Sequence, residues 1–449
     1  MRFIPHTAAQ VAAMLETIEV ANVTDLISHV PARLRELAEI KLDPGRSEAE
    51  VVSELRALAA RNQGASDYTS FLGGGYNRHY IPAAVRAVTS RAEFATSYTP
   101  YQAEASQGTT QAIFEFQTLI TQLTAMDVAN ASMYDGASAT AEAVLMARRL
   151  KPKRKTIAVS RALWPDYRDT IRTYLSALNG IEILELPFDD QTGTVDLGAL
   201  TDMAGEELLC VVLGYPNVFG VIEPLRTAIE IAHRAGALVV SATAEALSLG
   251  LLKAPGELGA DIVAGEGQSF GLAVEFGGPG LGFLAARTEH LRQMPGRLVG
   301  QTRDRDGRRA FCLTLATREQ HIRRERATSN ICTNHSLCAL AATVYLSLMG
   351  RQGLRELAER NVELAHEAID ALAARGLRRR FSGPIFNEFA LSLPHPVDAL
   401  AWAEQRRILA GIALQPQYPE LGDSILISVT EVNRSAELHR LAAVLAEAR

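Results

Sequence analysis

Short apolar runs alternate regularly with amphipathic segments through the middle of the chain, from about residue 130 to residue 265. Each apolar run is continuous, which is typical of strands buried on both faces of a parallel sheet. The segments between them carry apolar residues at helical spacing and are expected to cover the sheet on both sides. The sequence therefore predicts an α/β fold with a mostly parallel sheet. The predicted strands are 156–160, 181–186, 208–214 and 237–242, with another after Gly259, and the predicted helices are 141–150, 166–178, 195–203 and 225–235.

The carboxyl ends of the predicted strands are the expected ligand site, because open α/β sheets bind ligands there. Residues 135–140, 215–217, Ser241 and Gln268 all fall at those ends. Gln268 lies in a tight polar turn after the strand that follows Gly259. In α/β enzymes that use pyridoxal phosphate (PLP), a turn of this kind carries the lysine that forms a Schiff base with the cofactor. An amide cannot form an imine, so the chain has the frame of a PLP enzyme without its central reagent.

The lysines of the chain support this interpretation. There are only five of them: Lys41, Lys151, Lys153, Lys155 and Lys253. The first lies in a predicted helical region, the next three share one charged turn, and the last follows an apolar run in a loop. None follows a strand at the expected place. Two alternatives stay open at this point: a self-sufficient PLP enzyme that uses Lys253, and an unrelated α/β protein in which Gln268 is only a turn residue.

The composition is that of a soluble globular protein with room for two or three domains: 449 residues, 47% hydrophobic and 21% charged. No apolar run approaches the roughly 20 residues that a membrane-spanning helix needs, and the first residues lack the plan of a signal peptide. The four cysteines show neither a disulfide framework nor a metal-ligand spacing. The net charge of −6 argues against nucleic acid as a partner, although residues 303–309 and 318–326 are locally basic. We therefore expect a cytoplasmic protein without a metal.

Three regions of different pattern predict three domains. Residues 1–62 predict an arm of short helices that packs on the main domain or on a partner, and residues 63–333 hold the α/β sheet. Toward the end of that region, residues 298–302 and 318–333 predict a polar, arginine-rich connection. Residues 334–449 combine helices with two strands and predict a smaller α+β domain. In the arm, helices are predicted at 7–16, 25–37 and 48–61, the last opened by Ser47 with Glu50 in capping-box position. In the small domain, helices are predicted at 336–350, 354–374 and 399–409, with strands near 386–393 and 424–430.

Three consecutive glycines, Gly73 to Gly75, exclude a stable helix and permit a close approach of the backbone to another group. Aromatic, arginine and histidine side chains follow directly at residues 76–80. A functional turn and a plain surface loop are both open interpretations of this stretch.

Two polar clusters stand directly before predicted helices, one before a helix at 109–126 and one before the helix at 336. The unpaired N–H groups of a helix start favour anionic or polar ligands. The alternative is that the hydroxyls only cap the helices, above all Ser329 and Thr333. The clusters contain Tyr98, Thr99, Tyr101, Gln102, Ser106 and Gln107 in the first, and Thr328, Ser329, Asn330 and Thr333 in the second.

Several stretches resemble the glycine decarboxylase P-protein of the glycine cleavage system, in particular its alpha subunit in organisms where the protein is split in two. The resemblance covers the whole chain. One departure is Glu19, where the family more often has glycine. The stretches are RFIPHT at 2–7, FLGGG at 71–75, YTPYQ at 98–102, SQG at 106–108, GGPG at 277–280 and ATSNICT at 327–333.

The resemblance implies the PLP-dependent transferase fold (fold type I) and the activity of glycine dehydrogenase (aminomethyl-transferring), an oxidoreductase. Glycine is decarboxylated, CO₂ is released, and the aminomethyl group passes to the lipoyl arm of the H-protein. PLP is bound by a lysine of the beta subunit in an α2β2 heterotetramer. In this chain Gln268 then replaces the Schiff-base lysine, and Ser241 replaces the acidic residue that keeps the pyridinium nitrogen of PLP protonated.

The resemblance also gives the two polar clusters a role. All ten of their residues are expected to complete the active site at the subunit interface, with Ser329 and Asn330 reaching the cofactor across it. A subunit that only acts as a scaffold or regulator of the same complex is the remaining alternative. Polar clusters that face a partner speak against that alternative, because a scaffold does not need them.

Overall fold

The computed structural model describes residues 5–38, 42–62, 64 and 67–448. The chain divides into two compact units, Met1–Gly64 and Ala65–Arg449. The α-helices are α1 (Ala8–Ile18), α2 (Val23–Leu26), α3 (Ala32–Leu37), α4 (Glu48–Ala59), α5 (Ala83–Thr89), α6 (Ala92–Ala95), α7 (Gln107–Thr124), α8 (Gly136–Leu150), α9 (Pro165–Leu175), α10 (Leu197–Met203), α11 (Leu225–Arg234), α12 (Pro255–Leu258), α13 (Gln320–Arg323), α14 (Ser336–Ala373), α15 (Pro396–Gln405) and α16 (Ser435–Glu447). The strands are β1 (Thr69–Ser70), β2 (Val128–Ala129), β3 (Thr156–Ser160), β4 (Glu182–Leu186), β5 (Leu208–Gly214), β6 (Leu238–Thr243), β7 (Ile262–Glu266), β8 (Gly282–Ala286), β9 (Leu298–Arg303), β10 (Arg309–Thr314), β11 (Arg378–Arg379), β12 (Glu388–Ser392), β13 (Ile408–Leu409), β14 (Ile412–Ala413) and β15 (Ser424–Ser428).

The described part of the first unit consists of short helices, as the sequence predicts, and side chains cap all of them except α3. Capping boxes start α1 at Thr7 and α4 at Ser47. In the second, the Ser47 side chain accepts from the Glu50 backbone N–H, and the Glu50 side chain accepts from the Ser47 backbone N–H. The predicted helix at 25–37 is wrong: α2 ends at Leu26, and α3 starts after Pro31. Glu19 ends α1 with a φ of 60°, a left-handed conformation that favours glycine. Lys41 and positions 2–4 of the first resembling stretch lie outside the described residues.

A seven-stranded sheet forms the centre of the second unit, with the strand order β2-β8-β7-β6-β5-β3-β4. The pairs from β4 to β7 are parallel, and β8 joins β7 and β2 in antiparallel pairs. Successive residues of a strand point to opposite faces, so Val239 and Val240 belong to different core clusters. Residues of α8 and α9 fill one cluster, and residues of α7 and α11 fill the other. The predicted α/β fold with a mostly parallel sheet is confirmed.

Three sequence predictions around this sheet need correction. Helix α8 begins at Gly136, five residues before the predicted start, because the carboxylate of Asp135 caps it. Ser241 lies inside β6 and not at its end, since the strand continues to Thr243. The stretch at 298–302, predicted as a polar connection, forms a hairpin of β9 and β10, whose outer positions carry the polar residues.

The C-terminal part of the second unit contains a four-stranded antiparallel sheet with the order β11-β12-β15-β14. The predicted strands near 386–393 and 424–430 are confirmed as β12 and β15. The two helices predicted at 336–350 and 354–374 are the two parts of α14, which is interrupted at Gly350, where a φ of 59° is not helical. The predicted domain boundary between residues 333 and 334 stays a prediction, because both sheets belong to one compact unit.

A buried ionic network joins the glycine turn to both sheets of the second unit. The two ring nitrogens of His79 lie 3.0 Å from an oxygen of Glu245 and 2.9 Å from an oxygen of Glu431. Glu388, in β12, accepts a hydrogen bond of 2.6 Å from the backbone N–H of Gly74. A side chain at Gly73 would collide with the Glu388 carboxylate, so the close backbone approach predicted for the glycines is confirmed.

Two carboxylate acceptors require both nitrogens of His79 to carry protons. Burial alone would lower the pKa of His79, but Glu245 and Glu431 outweigh it and raise the pKa to about 10. Burial likewise works against ionisation of the two glutamates, and the His79 cation reverses this, so their pKa values are lowered. For Glu388, burial raises the pKa to about 8, and the nearby Glu245 carboxylate adds to the rise.

The signs of these shifts predict how stability changes with pH. A raised histidine pKa stabilises the fold fully below the ordinary value of 6.5 and loses that contribution as pH rises through about 10. Replacing His79 with glutamine leaves two buried carboxylates unpaired, so at pH 7 we expect a loss of about 3–5 kcal/mol in the free energy of unfolding. The difference in the free energy of unfolding between the parent and the variant should become smaller toward pH 10, where His79 of the parent loses its charge. Denaturant unfolding at about pH 7 and about pH 9.5 measures both values.

His439→Gln is the matched control, because the His439 side chain is 65% exposed and lies 4.0 Å from its nearest carboxylate. We expect a change below about 0.5 kcal/mol at either pH for this variant. A His79→Gln deficit of equal size at both pH values would contradict the charged state assigned to His79.

Candidate functional site

The end of β7 and the start of α8 meet at the carboxyl edge of the main sheet. Glu266, the last residue of β7, is fully buried. One of its carboxylate oxygens accepts from the N–H of Gly136 at 2.9 Å, and the other accepts from the N–H of Leu281 at 2.7 Å. Asp135 accepts from the N–H of Ser138 at 2.7 Å. The first turn of α8 is therefore already supplied with two carboxyl groups from the chain itself.

The environment of Glu266 disfavours its ionised form. Burial raises its pKa to about 7, and the neighbouring Asp135 carboxylate adds to the rise, against the lowering effect of the N–H donors. The start of a helix attracts an anion because its N–H groups are unpaired and its dipole is positive. Glu266 occupies that position at α8, and the helix start and the Leu281 N–H offset part of the cost of burying it.

Gln268 and Ser241 take no part in an open pocket. The amide nitrogen of Gln268 donates to the carbonyl of Leu272 within its own turn at 2.7 Å, and the side chain is buried. The hydroxyl of Ser241 is fully buried and has no hydrogen-bond partner among the described residues. Gln268 therefore follows β7 as predicted, Ser241 lies inside β6, and both side chains are buried.

Two buried aromatic side chains pack close to the start of α8. Trp164 and Tyr167 are both buried, with ring centroids 5.3 Å apart. The Tyr167 hydroxyl packs so closely against Gly136 that a side chain there would collide with it. Trp164 likewise contacts Gly75 of the glycine turn. Glycine is required at position 136 by this close approach.

These residues do not fit PLP. A phosphate at the start of α8 would meet the Glu266 carboxyl group. Of the four lysines in the described part of the chain, Lys151 follows α8, about 22 Å along the helix from Gly136, and Lys153, Lys155 and Lys253 are exposed. Within the described ranges, no three potential metal ligands cluster, and none of the helices could span a membrane.

The first loop, defined as residues 98–102, presents two side chains outward and fastens two others. Tyr98 is 77% exposed, and Gln102 is exposed. Thr99 and Tyr101 accept hydrogen bonds from Arg297, at 3.2 and 2.9 Å. The hydroxyls of Thr99 and Tyr101 therefore fasten the loop, although Tyr101 is itself 60% exposed, and Tyr98 and Gln102 are left exposed.

Ser106 and Gln107, at the start of α7, are used inside the chain. The amide of Gln107 donates to the carbonyl of Phe311 at 2.8 Å and accepts from its N–H at 2.9 Å, which joins α7 to β10. The carbonyl of Ser106 accepts from Thr110 of the same helix, and its hydroxyl does not cap α7. Their place at a subunit interface stays a prediction.

The second loop, defined as residues 327–333, is also fastened on one side. The hydroxyl of Ser329 donates to the buried Glu142 at 2.9 Å, and the hydroxyl of Thr333 accepts from Arg297 at 2.9 Å. Thr328 is half-buried, whereas Asn330 is exposed, with no side-chain hydrogen bond to the described part of the chain.

The interpretation of Ser329 and Thr333 as helix caps is wrong. Helix α14 begins after His335, and no side chain caps it. The N–H groups of Cys332 and Thr333 donate instead to the hydroxyl of Tyr134, at 3.1 and 3.4 Å. The hydroxyl groups of Ser329, Thr333 and Tyr134 thus hold the second loop in place, and none of them caps α14.

Four residues of the site were missed by the sequence analysis: Glu266, Arg297, Tyr134 and Glu142. Glu266 stands in the conspicuous strand and turn, and a carboxylate at the end of a buried apolar strand was the signal that could have found it. The other three are single polar residues in ordinary segments. Only the fold brings them to the two loops.

Comparison with known structures defines the class of protein first. The chain superposes on a sphingosine-1-phosphate lyase from Burkholderia pseudomallei with a TM-score of 0.65 at 17% identity, covering 93% of this chain and 94% of that one. The cysteine desulfurase CsdA from Escherichia coli gives a TM-score of 0.62 at 20% identity, covering 88% and 98%. These likenesses concern the fold alone, which is that of PLP-dependent enzymes of fold type I.

The family follows from closer matches. The model of the glycine cleavage system P-protein family matches residues 1–445, so the chain belongs to that family. A crystal structure of glycine decarboxylase (P-protein) of the glycine cleavage system, in inhibitor-bound form, matches with a TM-score of 0.90 and 43% identity over the whole of both chains.

Curated relatives agree with this assignment. A probable glycine dehydrogenase (decarboxylating) subunit 1 from Geobacillus kaustophilus is 48% identical over 440 residues, covering 98% of this chain and 97% of the relative. The protein of the same name from Anaeromyxobacter dehalogenans is 50% identical over 436 residues, covering 96% and 97%. The resemblance to the alpha subunit of the split P-protein is confirmed.

Gln268 is buried, and the Glu266 carboxyl group occupies the start of α8. We therefore predict that a lysine at position 268 will not restore cofactor binding. We expect the isolated Gln268→Lys chain, mixed with PLP and reduced with borohydride, to carry no more label at position 268 than at the exposed Lys253. It should also release no CO₂ from glycine, because Glu266 and Ser241 remain. Peptide mass spectrometry measures the label, and Lys253 serves as the internal control. Selective labelling at position 268 together with glycine decarboxylation by this chain alone would contradict the conclusion that these residues do not fit PLP.

Proposed function

We propose that this chain is the alpha subunit of a two-subunit glycine dehydrogenase (decarboxylating). It works with a beta subunit whose lysine binds PLP, and the two form an α2β2 complex in the cytoplasm. Together they decarboxylate glycine, release CO₂ and pass the aminomethyl group to the lipoyl arm of the H-protein. The chain belongs to the P-protein family over nearly its whole length, which supports the activity. Its full-length relatives carry the name subunit 1, which supports the second subunit.

The proposal that the beta subunit, and not this chain, binds PLP rests on a single observation. The carboxyl group of Glu266 lies at the start of α8. A chain with this fold that fills its own anion position and has no lysine in the corresponding turn needs another chain to hold the cofactor. Gln268 in place of the lysine and Ser241 in place of the acidic residue support the same conclusion.

The two loops are the part of the chain that we assign to the partner's active site. Tyr98, Gln102 and Asn330 are exposed on loops whose inner sides are fastened. A preorganised loop costs less entropy when it meets a ligand or a partner than a mobile one does. Phenol and carboxamide groups can hydrogen-bond to glycine, to a phosphate or to a lipoyl amide.

A scaffold role is the second candidate, and one observation favours it. Gln107 and Ser329, two of the polar residues expected at the interface, use their hydrogen bonds inside the chain. The two candidates differ in what the exposed residues do, which the variants below decide.

Reconstitution tests the proposed activity. We expect the purified chain with PLP to be colourless and inactive, and the mixture with its beta partner, the lipoylated H-protein and PLP to release CO₂ from carboxyl-labelled glycine. The beta partner alone should fall short by at least about tenfold, since its site is incomplete. Equal rates with and without this chain would show that it contributes nothing to the reaction.

Asn330→Ala separates a role in the partner's site from a scaffold role. Asn330 is exposed, so we expect the stability of the isolated chain to change by less than about 0.5 kcal/mol, as for an ordinary surface substitution. In the reconstituted complex, turnover or glycine affinity should fall several-fold. Asn179→Ala, at an exposed turn after α9, is the matched control and should change neither value.

Ser329→Ala has a different expected result, because Ser329 is bonded to a buried carboxyl group. Removing its hydroxyl leaves Glu142 without this donor and should cost about 1–3 kcal/mol of stability. Unaltered turnover in both the Asn330→Ala and Ser329→Ala complexes would favour the scaffold.

A further inference from the structure

Arg297 is a buried arginine that stands directly before β9, between the two loops. Its side chain is 3% exposed. The backbone carbonyl of Arg297 accepts from the N–H of Ala131 at 2.8 Å, and the carbonyl of Ala131 accepts from the side chain of Asn334 at 2.7 Å. The arginine therefore starts from a fixed point at the edge of the main sheet, next to the end of the second loop.

The guanidinium group bonds to three hydroxyls from the two loops. One terminal nitrogen donates to Thr99 at 3.2 Å and to Thr333 at 2.9 Å, and the other donates to Tyr101 at 2.9 Å. The guanidinium carbon also lies 5.2 Å from the centre of the Tyr101 ring, within cation–π range. Thr99 and Thr333 are far apart in the sequence, and one nitrogen of Arg297 holds them together.

The charge of Arg297 is balanced on its inner side. Its third nitrogen lies 3.5 Å from a carboxylate oxygen of the buried Glu319, which in turn lies 3.5 Å from a ring nitrogen of His321. His321 packs edge-on against Tyr101, with ring centroids 6.1 Å apart. The Glu319 carboxylate thus balances the charge of the guanidinium without accepting a hydrogen bond from its third nitrogen, and the two terminal nitrogens hold the hydroxyls.

We propose that Arg297 is a positioning residue that holds the first and second loops in one fixed arrangement for the partner's active site. This inference rests on the proposed function. Arg297 does not touch the reacting groups; it acts through Thr99, Tyr101 and Thr333. The exposed side chains of both loops lie close to these three residues in the sequence. A fixed arrangement matters because a small displacement of a contacting group reduces turnover strongly.

Only arginine suits this position. Its planar group offers donors in a rigid fork, so two nitrogens can serve three acceptors in different directions. A lysine at the same place would have all its donors on one atom, so it could not serve Tyr101 in addition to Thr99 and Thr333. The interaction therefore depends on the shape of the group as well as on its charge.

The experiment compares Arg297→Met and Arg297→Lys with Arg168→Met. Arg168 is the matched control, because it is also buried, with a carboxylate of Glu185 at 3.1 Å and the hydroxyl of Tyr418 at 3.5 Å. Its guanidinium carbon also lies over an aromatic ring, 5.5 Å from the Tyr418 ring centre, and none of these partners belongs to either loop. Either Met variant is expected to lower the melting temperature, so stability alone does not decide the question.

Two readouts decide it. Hydrogen exchange of the isolated full chain should be faster by roughly tenfold in peptides that cover 98–106 and 327–335, in both Arg297 variants and not in Arg168→Met. In the complex with the beta partner, PLP and the H-protein, glycine-dependent CO₂ release at saturating glycine should fall by about tenfold or more in both Arg297 variants, and less than about twofold in Arg168→Met.

Three results would overturn the proposal. Unaltered exchange in either loop of Arg297→Met would show that Arg297 does not hold it. Faster exchange with parental turnover would show that the arrangement is not needed by the partner's site. Parental behaviour of Arg297→Lys in both readouts would show that charge suffices and the fork does not matter. Failure of the proposed function looks different, because then the parent complex itself releases no CO₂, while hydrogen exchange still reports on the loops.

Discussion

The carboxyl group of Glu266 at the first turn of α8 is the interaction on which the functional interpretation depends. In an open α/β sheet, the start of a helix beside a strand end is the natural position for a phosphate. Here a side chain of the same sheet takes that position through bonds of 2.9 and 2.7 Å to Gly136 and Leu281. The chain has the fold of PLP-dependent enzymes, and the N–H groups of Gly136 and Leu281 are satisfied by this carboxyl group of the chain itself. Burial raises the pKa of Glu266 to about 7, so the arrangement is stable without requiring a full buried charge.

The residues around Glu266 are connected to the glycine turn and to the two loops. Trp164 and Tyr167 pack close to the start of α8, and the glycine turn packs against Trp164. The same turn is bound to Glu388 and followed by His79, which pairs with two carboxylates. The loops that carry exposed polar side chains are fastened through Arg297, Tyr134 and Glu142. In the proposed function, the groups that act lie on the surface of the chain and not in its interior.

The sequence predicted the main sheet well, because buried parallel strands and amphipathic helices have distinct periods. Strands β3 and β5 agree with their predicted bounds. Errors arose where local patterns compete with side-chain bonds. Asp135 starts α8 earlier than the apolar period suggests, and the carbonyl and N–H of Phe311 bind Gln107 within a hairpin whose first strand looked like a polar connection. For the site, Gln268 and Ser241 could be singled out because a lysine and an acidic residue are absent from their expected places. Glu266 stands at the end of a buried apolar strand, which marks it as unusual, but its bond to Gly136 spans 130 residues and could not be predicted. Arg297 could not be singled out at all, since its bond to Thr99 spans 198 residues and leaves no local pattern.

A crystal structure of this chain in complex with its beta partner and PLP would test the central claim most directly. We predict cofactor density on a lysine of the partner, none between α8 and β7 of this chain, and at least one of Tyr98, Gln102 and Asn330 in contact with the partner's site. Cofactor density beside Gln268, with the Glu266 carboxyl group displaced from α8, would contradict the closed site. A complex in which both loops lie far from the partner's cofactor would contradict the role assigned to them.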